Sequence, residues 1–181
     1  MAKHETILIA DDSEINRAIL RGLFDQEYNV LEAENGNQAL MLLKQYQDTI
    51  SVVLLDLIMP GLDGYGVLKE MQRAELLYDS PVVVITADDS AGNRVRVFEL
   101  GASDIIAKPF EPEVVRSRVK NIIELGHYRQ HLEALVEEHS ARAREANATV
   151  IDMLSSVIEY RSLESGQHIK RIRMFTKILL E

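Results

Sequence analysis

Five polar residues stand at or just past the ends of short apolar runs: Asp11 and Asp12, Asp56, Thr86 and Lys108. Three carboxylates brought to one point repel strongly unless they are protonated or share a cation. A hard donor set of oxygens, with no Cys in the chain and no His in the cluster, suits Mg2+, which keeps several waters and often bridges to phosphate. Taken singly, each residue has a plainer explanation. Asp12 and Ser13 are good helix caps, and Lys108 suits a solvated loop. All five at strand ends of one fold would instead gather three carboxylates, a hydroxyl and an ammonium in a single crevice.

That crevice depends on the elements that carry it. Thr6–Ala10, Asn29–Ala33, Ser51–Leu55, Pro81–Thr86 and Asp104–Ala107 are short β-branched runs bounded by turn residues, the pattern of strands buried on both faces. Helical spacing fills the gaps: Ile15, Ile19 and Leu23; Ala39, Leu40, Leu43 and Tyr46; Val67, Leu68 and Met71; Val95, Phe98 and Leu100. Five strand–helix alternations predict an α/β fold with a parallel sheet covered by helices on both sides, in the flavodoxin-like five-strand order. In such sheets, residues past the carboxyl ends of neighbouring strands converge on the ligand crevice.

The 181 residues hold 46% apolar side chains, enough to build a core, and no Cys or Trp. Asp and Glu number 29 against 20 Lys and Arg, a net charge of −9. Residues 1–120 carry 20 acidic and 12 basic side chains, so nearly all the excess lies there. That balance argues against a protein that coats nucleic acid or anionic lipid. No stretch approaches the ~20 apolar residues of a membrane span, and the first residues lack the apolar core of a secretory signal. The expectation is a soluble, cytoplasmic chain.

The stretches Ile-Leu-Ile-Ala-Asp11-Asp12-Ser, Leu-Leu-Asp56-Leu-Ile-Met59-Pro60-Gly-Leu-Asp63-Gly64, Val-Ile-Thr86-Ala87 and Ile-Ile-Ala-Lys108-Pro109-Phe110 resemble the CheY-like receiver domain of bacterial two-component response regulators, in order and spacing, over residues 5–125. The resemblance implies that Asp56 is the phosphoacceptor. It implies that Asp12, Asp56 and the backbone carbonyl of Ile58 hold Mg2+, with Asp11 acting through water. Thr86, beside Ala87, would move to bond the phosphoryl oxygen, Lys108 would pair with it, and the Lys108–Pro109 peptide would be cis. A sensor histidine kinase is the implied partner. One position departs from the pattern: many receivers carry Tyr or Phe three residues before the lysine, where this chain has Ile105.

Beyond residue 110 the strands stop, and Pro112 suits a first helical turn. A heptad runs from Ile122 through Leu125, Arg129, Leu132, Val136, His139, Ala143, Ala146, Val150, Met153, Val157 and Tyr160, sustained enough to predict a coiled coil and a parallel homodimer through the long helix. Glu133, Glu137, Glu138, Arg142, Arg144 and Glu145 fit its outer faces, as do His127 and His131. Ser162–Gly166 reads as a break, followed by apolar spacing at Ile169, Ile172, Phe175 and Ile178, and the chain ends inside that stripe as though cut.

The segment from Ile158 to Ile172 resembles the opening of an HD-GYP domain, a family that degrades cyclic di-GMP with iron or manganese. By that resemblance Glu164 and His168, flanking Gly166, would be metal ligands in an intact output domain. The rest of that domain's motifs are not in this sequence, so the chain is not expected to be a phosphodiesterase by itself. The expected organisation is a receiver over 1–125, a signalling helix over 126–150 and the first helices of an output domain over 151–181. The alternative is a stand-alone, phosphorylation-dependent binding module whose helical tail docks a partner. A third possibility, contact of Lys170, Arg171, Arg173 and Lys177 with DNA, lacks a helix-turn-helix pattern to support it.

Overall fold

The β-branched runs and helical stripes fold as five successive βα units. A computed structural model of the chain describes residues 5–179, with the backbone alone for 155–173 and 175–179. In chain order the elements are β1 (Thr6–Ala10), α1 (Glu14–Phe24), β2 (Asn29–Ala33), α2 (Gly36–Tyr46), β3 (Ile50–Asp56), α3 (Gly64–Arg73), β4 (Val82–Thr86), α4 (Ala91–Glu99), β5 (Asp104–Ala107) and α5 (Pro112–Leu179). All strand pairs are parallel, in the order β2-β1-β3-β4-β5. This is the flavodoxin-like arrangement expected from the sequence. Each of the first four helices starts at a capping residue: Ser13, Asn35, Asp63 and Ser90 each accept a hydrogen bond from the backbone N–H three residues on. Such caps contribute about 1 kcal/mol each and fix where strand gives way to helix.

The sheet separates two cores. On one face Leu8, Leu55 and Val84 pack with Leu43 of α2 and with Val67, Leu68 and Met71 of α3. On the other, Ile7, Ile9, Leu54 and Ile85 pack with Leu20 and Phe24 of α1 and with Val115, Val119 and Ile123 of α5. Only β1, β3 and β4 are buried almost throughout. β2 and β5 are partly exposed because they are the sheet edges, which corrects the expectation that all five strands are covered on both faces.

Two helices turn a different face inward from the one their apolar residues predicted. In α1, Ile15 is 72% exposed and Ile19 also faces solvent, while Arg17, Leu20 and Phe24 are buried. Arg17 goes inward because backbone carbonyls at the end of β1 accept its guanidinium. In α4, Val95 and Phe98 are exposed, and only Asn93 and Val97 are buried.

The chain divides into one compact unit that ends at Arg129 and a second that starts at Gln130. In the first, the α5 segment is tied to the domain by Arg118 to Asp104, by Arg116 to Glu27 and by His127 to Glu5. Arg129 also stacks on the Tyr78 ring and donates to its carbonyl. In the second, Leu132, Val136, Val150 and Met153 are exposed along the helix, with Arg142–Glu138 and Arg144–Glu137 pairs beside them. The predicted break at Ser162–Gly166 is absent: α5 stays helical to Leu179, since one interior Gly costs only about 1 kcal/mol. Among the described residues, no helix is long and apolar enough to cross a membrane.

Candidate functional site

Four strand ends build the site. Asp11 follows the last residue of β1, and its N–H donates to the carbonyl of Ala33 at 3.2 Å. Asp56 closes β3. In the register of β3 with β4, Asp56 lies opposite Ile85, one residue before Thr86 closes β4. Lys108 follows β5 and is drawn to the same rim by its N–H, which donates to the Thr86 carbonyl at 2.7 Å. The peptide between Lys108 and Pro109 is cis, as expected.

The side chains meet at that rim. Lys108 Nζ lies 2.8 Å from Asp11 Oδ2 and 2.5 Å from Asp56 Oδ2. Carboxylate oxygens of Asp11, Asp12 and Asp56 all fall within 4.8 Å of one another. Asp11 and Asp56 are buried and Asp12 is exposed, so one wall of the cluster is open to solvent. Asp56 Oδ1 accepts from the Ile58 N–H at 3.2 Å, while the Ile58 side chain is exposed. Thr86 is fully buried and its Oγ1 accepts from the Asp88 N–H at 3.1 Å. Ala87 is exposed next to it. Ile105 sits partly buried against the α2–α3 core.

Electrostatics follow from this crowding. Burial pushes the Asp56 carboxyl above its ordinary 3.8, more than the Lys108 ammonium and the Ile58 N–H pull it down, and the neighbouring Asp11 adds to the rise. For Lys108 burial disfavours the ammonium, but hydrogen bonds and charge from Asp11 and Asp56 together outweigh it and raise the pKa. Two carboxylates share a single ammonium, so the contact that raises Lys108 does not pull Asp56 down far enough to offset its burial. A cluster of three oxygen donors with one cation is short of positive charge, and a hard divalent ion would meet that shortage.

Residues that sequence reasoning passed over hold the acids in place. Asn16 Nδ2 donates to both Asp11 oxygens at 3.1 and 3.0 Å, and the Ser13 N–H donates to Asp11 Oδ1 at 2.8 Å. Arg17 Nη1 donates to the carbonyls of Asp11 at 2.8 Å and of Asp12 at 3.2 Å, and the guanidinium also lies within 3.5 Å of Glu32 and Glu34. Their position one turn past the Ser13 cap is the signal that points them back at the strand end. Gly64 is the other: its N–H donates to the Leu57 carbonyl, and a Cβ there would collide with the Asp56 carbonyl and lie 2.7 Å from Leu57 Cα. The side chains of Glu164 and His168, like those of the basic cluster from Lys170 to Lys177, lie outside the described residues.

Residues 7–120 match the response regulator receiver domain family. A probable cyclic di-GMP phosphodiesterase of Vibrio cholerae is 32% identical over 97% of this chain and 41% of its own length. The transcriptional regulatory protein CpxR of Klebsiella pneumoniae is 37% identical over 67% of this chain and 50% of its own. The chain thus spans about half or less of these two relatives. The receiver domain of the Francisella response regulator 1452 superposes with a TM-score of 0.62 at 26% identity, covering 66% of this chain and 97% of that one.

Proposed function

Since the chain belongs to the response regulator receiver domain family, we propose that it is phosphorylated on Asp56 by a sensor histidine kinase and passes the resulting change along α5. The observation that carries this reading is the Lys108 ammonium held between Asp56 and Asp11 at the open rim of an acid cluster. A carboxylate is a poor nucleophile toward phosphorus until charge on the phosphoryl oxygens is neutralised. Asp12, Asp56 and the Ile58 carbonyl would hold Mg2+, with Asp11 reaching it through water, and the ion would supply part of that neutralisation. Lys108 supplies the rest, pairing with a phosphoryl oxygen once Asp56 Oδ has attacked phosphorus and the donor's leaving group has departed. The product acyl phosphate carries about −1.5 to −2 charges where the carboxylate carried −1. Thr86 then bonds a phosphoryl oxygen, with Ala87 and Ile105 filling the space around it.

For output, the similarity to the probable cyclic di-GMP phosphodiesterase of Vibrio cholerae runs over nearly the whole of this chain and supports a cyclic di-GMP output in the parent protein. The HD-GYP class of that output rests on the resemblance of residues 158–172. In that parent, Glu164 and His168 would be ligands for iron or manganese, and the present chain is its phosphorylated switch and signalling helix rather than an enzyme. The exposed stripe of Leu132, Val136, Val150 and Met153 supports a homodimer paired along the helix. The decisive test is labelling by radioactive acetyl phosphate with Mg2+: wild type takes up label and Asp56→Asn takes up none. Undiminished labelling of that variant removes the assignment.

A further inference from the structure

The phosphoryl-binding hydroxyl is wired to helix α4 by a chain of hydrogen bonds. Thr86 Oγ1 accepts from the Asp88 N–H at 3.1 Å. The Asp88 carbonyl accepts from Asn93 Nδ2 at 2.6 Å. Asn93 Oδ1 accepts from the Tyr65 hydroxyl on α3, and the Arg96 guanidinium lies 4.1 Å over the centre of the Tyr65 ring. Asn93 is buried, so a carboxamide that lost these partners would leave unsatisfied polar atoms in the interior. Its hold on Asp88 is consequential because α4 has little else to anchor it: Val97 is its one other buried residue, against Val67, Leu68 and Met71 in α3. An element so lightly packed takes its position from its polar contacts.

Resting on the reading of Asp56 as phosphoacceptor, we propose that Tyr65 and Asn93 form a latch that holds the Asp88 backbone, and through it the Thr86 hydroxyl, in the resting orientation. Tyr65 is then a positioning residue for phosphoryl binding, acting across the gap between α3 and α4. It supplies an aromatic hydroxyl to the switch in a chain where position 105 is Ile. Turning Thr86 toward Asp56 requires the Asp88 N–H to let go, and the latch resists that by keeping the Asp88 carbonyl engaged. A ligand that favours the turned state must work against this bias, and its apparent affinity falls by the fraction of molecules already turned.

Beryllofluoride with Mg2+, a phosphoryl mimic, reads this directly by fluorine NMR of the bound species. Removing one neutral hydrogen bond in Tyr65→Phe, which keeps the ring under Arg96, should tighten beryllofluoride binding about three- to tenfold. Asn93→Ala should tighten it as much, and the double variant no further than either single change, because both cut one chain. A merely structural role would lower the melting temperature and leave the binding constant where it was. Wild-type binding with unchanged or weaker affinity in Tyr65→Phe overturns the latch alone. Failure of the wild type to bind beryllofluoride overturns the reading of Asp56 and the latch with it.

Discussion

The Lys108 ammonium lies 2.5 Å from Asp56 Oδ2 and keeps a second contact, at 2.8 Å, with Asp11. One cation therefore serves two buried acids, and the charge balance of the rim rests on it.

Lys108→Met should leave Asp11 and Asp56 facing one another uncompensated. Removing one partner of a buried ion pair costs about 3 kcal/mol, so urea unfolding in EDTA should show a loss of that order. Saturating Mg2+ should restore more stability to the variant than it adds to the wild type, since a cation can stand where the ammonium stood. Equal Mg2+ effects on the two proteins would mean that Lys108 does not offset the acid cluster.

The raised pKa of Asp56 has a definite sign in stability. The group binds its proton more tightly folded than unfolded, so its contribution is fully present below the ordinary 3.8 and is lost as pH rises through the folded value above it. Asp56→Asn carries no such charge. In EDTA its melting temperature should therefore gain on the wild type as pH rises through that window and then level off. A constant difference from acid to neutral pH would show that Lys108 cancels the cost of burial.

Gly64→Ala should damage the site through the backbone. The new Cβ meets the Asp56 carbonyl and Leu57 Cα, neither of which is a flexible side-chain end. Overpacking of this kind costs about 1–3 kcal/mol, and the displacement falls on the phosphoacceptor's own peptide. Thermal melts and acetyl phosphate labelling should both decline, whereas Gly22→Ala, where a Cβ meets nothing within 4 Å, should leave labelling intact.

Self-association and phosphorylation should separate. Replacing Leu132 and Val136 together by Lys should yield a monomer in sedimentation at micromolar concentration, with labelling of Asp56 unchanged. A wild type that sediments as a monomer with and without beryllofluoride would end the dimer reading.

The strand ends were legible because a β-branched run followed by Asp, Thr or Lys has few other uses, and parallel order then forces those residues to one rim. The face of α3 was legible too, where Val67, Leu68 and Met71 are all buried. The faces of α1 and α4 were not. Counting apolar residues favoured Ile15, Ile19, Val95 and Phe98, yet Arg17 and Asn93 took buried positions because backbone carbonyls wait for them there. Apolar periodicity cannot register a polar side chain whose partner is a main-chain atom in another segment. The contacts of Tyr65 with Asn93 and of His127 with Glu5 join residues far apart in the chain, and nothing local announces either.

The light packing of α4 also sets a hierarchy of breathing within the domain. With Val97 its single buried apolar side chain, α4 can open without exposing much of either core. Its amides should exchange with deuterium through local openings of low free energy, while those of β1 and β3 wait for global unfolding. The acid cluster is thus mounted on strands that should open last and borders a helix that should open early, so the rim can keep its geometry while α4 samples other positions.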